Sequence, residues 1–289
     1  MTSQRVAIIT GASSGIGKET ARALVALGWR VIGQGRDAGR SQDAAAEIAA
    51  SSANGGSFTM LRANLSLMSE TTRLACEIKA LTPRADLLFN NAGGVRDARY
   101  VTSEGLEETF SANHLAPFLL TRELLPLLKA ATASAKPGAV RVLATSSLAY
   151  HSAPPFDWGD LQHLTGEFSA SPSYCEVKLM NALFSLELAR RLEGDGIAVH
   201  SLVPGVVLTN FASHGDAGMQ AYLKDAQGMT PADVAKTVVW MATAAETGMP
   251  TGRHFFAMQE QAIAPAAADA ATAQRLWTES EKVLSSLGY

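Results

Sequence analysis

Tyr174 and Lys178 are the residues of this sequence whose types and spacing point most directly to chemistry. They stand four apart in a stretch, 172–193, whose pattern predicts a helix, so they lie one above the other on one face. A phenol titrates near pH 10 and is a poor proton shuttle at neutral pH; an ammonium beside it favours phenolate and lowers that pKa. A phenol so tuned suits proton transfer to an oxygen on which charge develops, such as a carbonyl oxygen receiving hydride. The pair is short enough to arise by chance, so its weight depends on what accompanies it.

The second signal is Thr10-Gly11-Ala12-Ser13-Ser14-Gly15-Ile16-Gly17. An apolar run, Val6-Ala7-Ile8-Ile9, precedes it, and a helical pattern beginning at Lys18 follows. Strand, glycine-rich turn and helix in that order gather backbone N–H groups and the positive helix end at one point, which suits a dinucleotide pyrophosphate. Gly11 is expected to make the tight turn, Gly15 to allow close backbone approach, and Gly17 to pack helix against sheet. The spacing Gly-x3-Gly-x-Gly differs from the commoner Gly-x-Gly-x-x-Gly.

The elements that must position these residues alternate along the chain. Strands are predicted at 6–10, 30–35, 57–62, 85–89, 139–146, 197–203 and 253–257, mostly as continuous apolar runs, as when helices cover both faces of a parallel sheet. Helices are predicted at 18–27, 37–50, 67–81, 105–132, 172–193 and 231–243. Thr230-Pro231 reads as a cap followed by a first-turn proline, and Gly28 and Gly194 stand where helices should stop. The expected architecture is α/β: a single-domain Rossmann fold, a doubly wound seven-stranded parallel sheet with helices on both faces, spanning 1–289. Leu276, Trp277, Val283 and Leu284 recur at helical spacing, so a C-terminal helix at about 269–285 is expected to dock an apolar stripe.

Composition narrows the function. The 289 residues are 47% hydrophobic and 18% charged, with a formal charge of −3 and no dense Lys/Arg run, which argues against nucleic acid as a partner. No apolar stretch approaches the ~18 residues of a membrane span, and the first strand begins too near Met1 for a signal peptide. Cys76 and Cys175 have no metal-site spacing and the six histidines show none either, so no metal is expected and a reduced, cytoplasmic protein is the simplest reading.

Further segments fall at carboxyl ends of the predicted strands, where ligands bind in an open α/β sheet: Asn90-Asn91-Ala92-Gly93, Ser146-Ser147, and Pro204-Gly205-Val206-Val207-Leu208-Thr209. Together with 10–17 and Tyr174-x3-Lys178, these ordered motifs resemble the short-chain dehydrogenase/reductase family from about Val6 to Ala257. The resemblance implies that Tyr174 is the catalytic acid or base. Lys178 would hold the nicotinamide ribose and depress the tyrosine, and Ser147 rather than Ser146 would bind the substrate oxygen. Asn113, in Ser111-Ala112-Asn113-His114, matches the asparagine that organises a relay water. Pro117, four residues on, has no N–H to give to the Asn113 carbonyl, which leaves an acceptor free inside a helix for that water.

The cofactor is expected to lie along Gly11, Ser13, Ser14, Gly15, Ile16 and Gly17, then Asn64 and Leu65 beside the adenine, with Asn91, Ala92 and Gly93 below it. Pro204, Gly205, Val207 and Thr209 would close over it, and Tyr174 and Lys178 would meet its nicotinamide end. After the second predicted strand, Gly35 takes the position where NAD-preferring proteins place an acid, and Arg36 beside it can grip a 2′-phosphate with help from Ser13. NADP(H) is therefore expected over NAD(H), with Asp37 capping the next helix.

The separation of 27 positions from Ser147 to Tyr174, the segment Asn113-His114-Leu115, and Leu276-Trp277 resemble the retinol-dehydrogenase branch of the family. Members of that branch often carry an N-terminal membrane anchor and this sequence shows none, so the likeness favours a carbonyl reductase over retinoid chemistry. A lid at about 206–228, with Val206, Leu208, Phe211, Met219, Tyr222 and Leu223 among glycines, points to a lipophilic aldehyde, ketone or alcohol. Reduction of an activated C=C bond and non-catalytic NADP(H) sensing are the alternatives. Assembly into a homodimer or homotetramer through the helices at 105–132 and 172–193 is the family expectation.

Overall fold

The computed structural model describes residues 4–209, 211, 214–224 and 226–289. Its strands are β1 (Val6–Ile9), β2 (Arg30–Gly35), β3 (Ser57–Arg62), β4 (Leu87–Asn90), β5 (Val140–Thr145), β6 (Ile197–Leu202), β7 (Arg253–Phe256) and β8 (Gln259–Gln261). They form one sheet in the order β3-β2-β1-β4-β5-β6-β7-β8. β1 to β7 are parallel, and β8 returns antiparallel against β7. The eighth strand departs from the seven expected: Gln259-Glu260-Gln261 is polar and lies at the sheet edge, so it has no apolar run to betray it.

Helices α1 (Gly15–Ala26), α2 (Ala38–Ala49) and α8 (Pro231–Thr243) cover one face, and α3 (Met68–Leu81), α5 (Ala116–Thr132), α6 (Ala170–Arg191) and α10 (Ala270–Ser286) the other. Shorter pieces are α4 (Glu108–Phe110), α7 (Ala217–Lys224) and α9 (Pro265–Ala268). Alternate residues of one strand feed the two cores: Val6 and Ile8 of β1 pack with α3 and α5, Ala7 and Ile9 with α1 and α8. Both sets are buried, which is why β1 and β4 read as unbroken apolar runs. Asp37 caps α2 by accepting from Arg40 N (2.9 Å), and Thr230 caps α8 by accepting from Asp233 N (3.2 Å) ahead of Pro231. Order reverses between β1 and β4, and the crevice opens there, at the carboxyl ends of the strands. Among the described residues, no helix is long and apolar enough to cross a membrane.

One expectation changes. The helix expected at 105–132 is broken: α4 passes into a π-turn, Ser111–Leu115, before α5 begins. Pro117 cannot donate to the Asn113 carbonyl, and the backbone widens so that Ala116 N bonds Ser111 O. Helix α10 packs along α6, with Trp277 stacked on Phe184 (5.9 Å, 10°), 4.5 Å from the Phe118 ring, and under the Arg191 guanidinium (4.3 Å). Within α6 only Ser171, Pro172, Arg190 and Arg191, at its two ends, are exposed. That part of the α6 surface is thus covered by the chain's own C-terminal helix.

Candidate active site

The glycine turn is built by exclusion of side chains. Gly11 has φ +68°, and a Cβ there would lie 2.9 Å from Asn91 Nδ2 and 3.0 Å from Ala92 Cα. A Cβ on Gly17 would strike the Gly11 carbonyl and come within 2.7 Å of Asn91 Nδ2, so Gly17 lets the turn fold onto itself rather than packing helix to sheet. The first helical bond of α1 runs from Lys18 N to Ser14 O (3.2 Å), so the N–H groups of Gly15, Ile16 and Gly17 precede it at the positive helix end. Thr10 joins this turn to the β4 loop: its Oγ1 accepts from Asn91 N (3.0 Å) and Ala92 N (2.9 Å), and its carbonyl accepts from Asn91 Nδ2 (3.0 Å). Buried Gln34 completes the brace, accepting from Gly11 N (3.0 Å) and donating to Ala63 O (2.7 Å).

A cleft of about 970 Å³ runs from this turn across the sheet end. Of the residues expected to line it, Gly11, Ser13, Ser14, Gly15, Ile16, Arg36, Asn64, Leu65, Asn91, Ala92 and Gly93 lie on its walls. So do Asn113, Ser147, Tyr174, Lys178, Pro204, Gly205, Val207 and Thr209; Gly17 lies beneath. At the end of the cleft beside α2, a Cβ on Gly35 would collide with Ser41 Oγ and sit 2.9 Å from Ser13 Cβ, so the position has no room for an acid. Arg36 is exposed to the cleft beside Ser13, and Arg40, one turn into α2, lines it as well. The sequence reading missed Arg40, whose place follows only once Asp37 fixes where α2 starts. Asn64 Oδ1 accepts from Ser66 N (3.2 Å) and Ser66 Oγ (2.9 Å), which holds its amide in place. These free N–H groups, the side-chain-free cradle and the two guanidiniums fit a dinucleotide phosphate group.

At the other end, α6 carries Tyr174 and Lys178 on one face, with Nζ 5.4 Å from the Tyr174 ring centre. Ser147 lines the cleft with Tyr174 and caps the turn at Leu148–Ser152 through Ala149 N (3.2 Å). Ser146 is spent elsewhere, donating to Lys178 O (2.9 Å). Lys178 is 4% exposed, donates to Thr145 O (3.4 Å), and is drawn down to about 8 by burial. A Cβ on Gly93 would be 2.5 Å from Asn113 Oδ1 and 3.4 Å from Lys178 Nζ, so both side chains close on that glycine. Asn113 clamps the β4 loop, accepting from Gly94 N (3.1 Å) and donating to Gly94 O (2.9 Å) and Thr109 O (2.8 Å).

The expected depression of Tyr174 by Lys178 is not what dominates. Burial pushes the phenol well above its usual range, offset in part by Ser147, and the ammonium, drawn down itself, does not reverse this. At neutral pH Tyr174 is a neutral donor.

The lid expectation is met unevenly. Val206, Phe211 and Met219 face the cleft, and the Phe211 ring lies 5.1 Å from that of Tyr174. Leu208 instead points outward, 55% exposed. Val206 and Leu208 pair with Met229 (Met229 N to Val206 O 2.9 Å; Leu208 N to Met229 O 3.0 Å), which ties the ends of the segment together. Residues 210, 212, 213 and 225 of the expected lid, and the side chains of Tyr222 and Leu223, lie outside the described residues. The cleft wall is also less apolar than expected: an Arg96–Glu108 ion pair (2.5 Å), His214 and Asp216 line it. No group of three or more metal-ligating side chains occurs among the described residues.

Comparison with known proteins agrees with this geometry. Residues 5–156 match the family model described as short chain dehydrogenase. Human Retinol dehydrogenase 13 is 34% identical over 287 residues, covering 97% of this chain and 84% of that protein. Human Retinol dehydrogenase 14 is 35% identical, covering 98% and 87%. Among solved structures, a Mycobacterium paratuberculosis protein superposes with a TM-score of 0.76 at 28% identity, covering 98% of this chain and 94% of its own. Pseudomonas aeruginosa RhlG, in an NADP active-site complex, gives 0.68 at 26% identity, covering 88% and 94%. With its nicotinamide-cofactor cleft and its tyrosine–lysine helix, the chain belongs to the short-chain dehydrogenase/reductase family of oxidoreductases and is retinol-dehydrogenase-like.

Proposed function

We propose that the protein is an NADPH-dependent carbonyl reductase and, in reverse, an alcohol dehydrogenase, acting on lipophilic aldehydes or ketones. The observation that carries this reading is the Tyr174 ring with Lys178 Nζ 5.4 Å from its centre, in one cleft with Ser147 and the α1 glycine turn. When bound, the reduced nicotinamide supplies hydride. Ser147 and Tyr174 then donate to the carbonyl oxygen, and Tyr174 yields its proton as charge develops there. Lys178 holds the ribose hydroxyls and, with Asn113, returns a proton to Tyr174. The Asn113 carbonyl, to which Pro117 has no N–H to give, would seat the relay water. Arg36, supported by Ser13 and Arg40, grips the 2′-phosphate, and the closed wall at Gly35 denies the acid that NAD recognition uses. Val206, Phe211 and Met219 supply the apolar side of the substrate pocket.

One turnover panel tests the reading: wild-type and Arg36→Ala protein, with NADPH or NADH, against aldehydes, ketones and enones. Turnover of aldehydes or ketones is expected, with Arg36→Ala raising the KM for NADPH about tenfold or more and leaving that for NADH nearly unchanged. Turnover confined to enones, or tight NADPH binding with no turnover, overturns the carbonyl reading. Equal effects on both cofactors overturn the phosphate assignment.

A further inference from the structure

We propose that Ser280, on the C-terminal helix, is a positioning residue for the active site: it pins His114 from outside and so fixes the π-turn that seats Asn113. The inference rests on the proposed role of Asn113 in returning a proton to Tyr174, and it adds a part of the machinery on an element remote from the cleft.

The His114 Nε2 to Ser280 Oγ distance is 2.7 Å, and each residue is 1% exposed. The direction of this bond follows from proton counting. His114 Nδ1 has no partner, so a proton there would be a buried, unpaired N–H; with the proton on Nε2, Ser280 Oγ accepts it and gives its one hydroxyl hydrogen to Leu276 O (2.7 Å). His114 therefore carries its proton on Nε2, and Nδ1 is a bare, buried nitrogen without a partner. Burial keeps the ring neutral, pulling it down to about 3, so the bond persists throughout the working range. The ring is held between Phe110 (5.4 Å) and Phe118 (6.3 Å), one from each flank of the π-turn.

Adjacent residues of the turn thus face opposite ways. Asn113 looks into the cleft and clamps Gly94 and Thr109; His114 looks back and meets α10. A π-turn has weaker internal restraint than a regular helix, and Pro117 removes one of its bonds. Its geometry depends on what holds it from each side, and Ser280 is the polar contact on the outer side. Without that hydroxyl, a buried Nε2–H is left unpaired, and the turn must move to satisfy it.

The test uses full-length protein and three variants. Ser280→Ala should lower kcat for carbonyl reduction about tenfold with the KM for NADPH within about twofold, as expected of misplacement rather than lost binding. Ser280→Thr, which keeps the hydroxyl, should retain most of the kcat. His114→Leu/Ser280→Ala removes both partners and leaves no orphan donor, so it should recover thermal stability without recovering kcat. A wild-type kcat in Ser280→Ala, or recovery of kcat together with stability in the double variant, overturns the proposal. Amide hydrogen exchange of the peptide 106–118 should speed up about tenfold in Ser280→Ala while α1 is unchanged. This second readout needs no turnover, so it decides the inference even if the wild-type protein reduces no carbonyl, a result that would instead refute the proposed function. Unaltered exchange in 106–118 also overturns it.

Discussion

A tyrosine and a lysine four apart on a helix are legible in any sequence, because their spacing alone puts them on one face. Their protonation is not, since it depends on what the fold wraps around them. Here burial acts on both in the direction that disfavours charge: the Tyr174 phenol rises, and the Lys178 ammonium falls to about 8. Lys178 has a consequence for stability with a definite sign. Below pH 8 it is charged in the folded and unfolded chain alike, and the folded form bears the desolvation cost. Between about 8 and 10.5 only the unfolded chain holds the proton, so this contribution to stability improves as pH rises. Lys178→Met should therefore be more stable than wild type at pH 7, by up to about 3 kcal/mol, with the advantage fading by pH 10. Urea titrations at the two pH values check this, and a variant less stable at pH 7 refutes it. Motif position was enough to place Arg36, Ser147 and Asn113 on the cleft wall. Gln34 and Arg40 were not, because a bracing glutamine and a one-turn-later arginine acquire meaning only from neighbours across β1 and along α2.

At the scale of elements, strands and caps were the most legible. The apolar runs of β1, β4 and β6 and the Asp37 and Thr230 caps lie within a residue or two of where the pattern puts them. What escaped were features whose cause is tertiary. Pro117 was visible, yet its outcome as a π-turn braced by Asn113 on one side and His114 on the other depends on Gly94 and Ser280, which are distant in sequence. The apolar stripe of α10 was visible too, but a stripe does not say which surface it meets. β8 carried no periodic signal at all, and α7 lies in a segment read as a glycine-punctuated lid.

For the whole molecule, the decisive fact is that α10 occupies the α6 surface. Trp277 is inserted against Phe118 and Phe184, contributing aromatic packing that another copy would have to displace. Association through the part of α6 that α10 covers would require α10 to leave first. Any dimer of the full chain should leave the α10–α6 contact in place, so the fluorescence of Trp277 on that contact should not change with protein concentration. Cysteines placed at Pro172 and Arg190, the exposed ends of α6, should fail to crosslink between copies. Efficient disulfide-linked dimers from either position would contradict this reading.

The account stands or falls on the proton that Tyr174 gives up as hydride arrives. The most direct measurement is the rate of NADPH oxidation after rapid mixing with a saturating aldehyde or ketone, compared between wild type and Tyr174→Phe, with NADPH affinity measured in parallel. The variant should bind NADPH about as tightly and oxidise it about a thousandfold more slowly. Equal rates in the two proteins would contradict it.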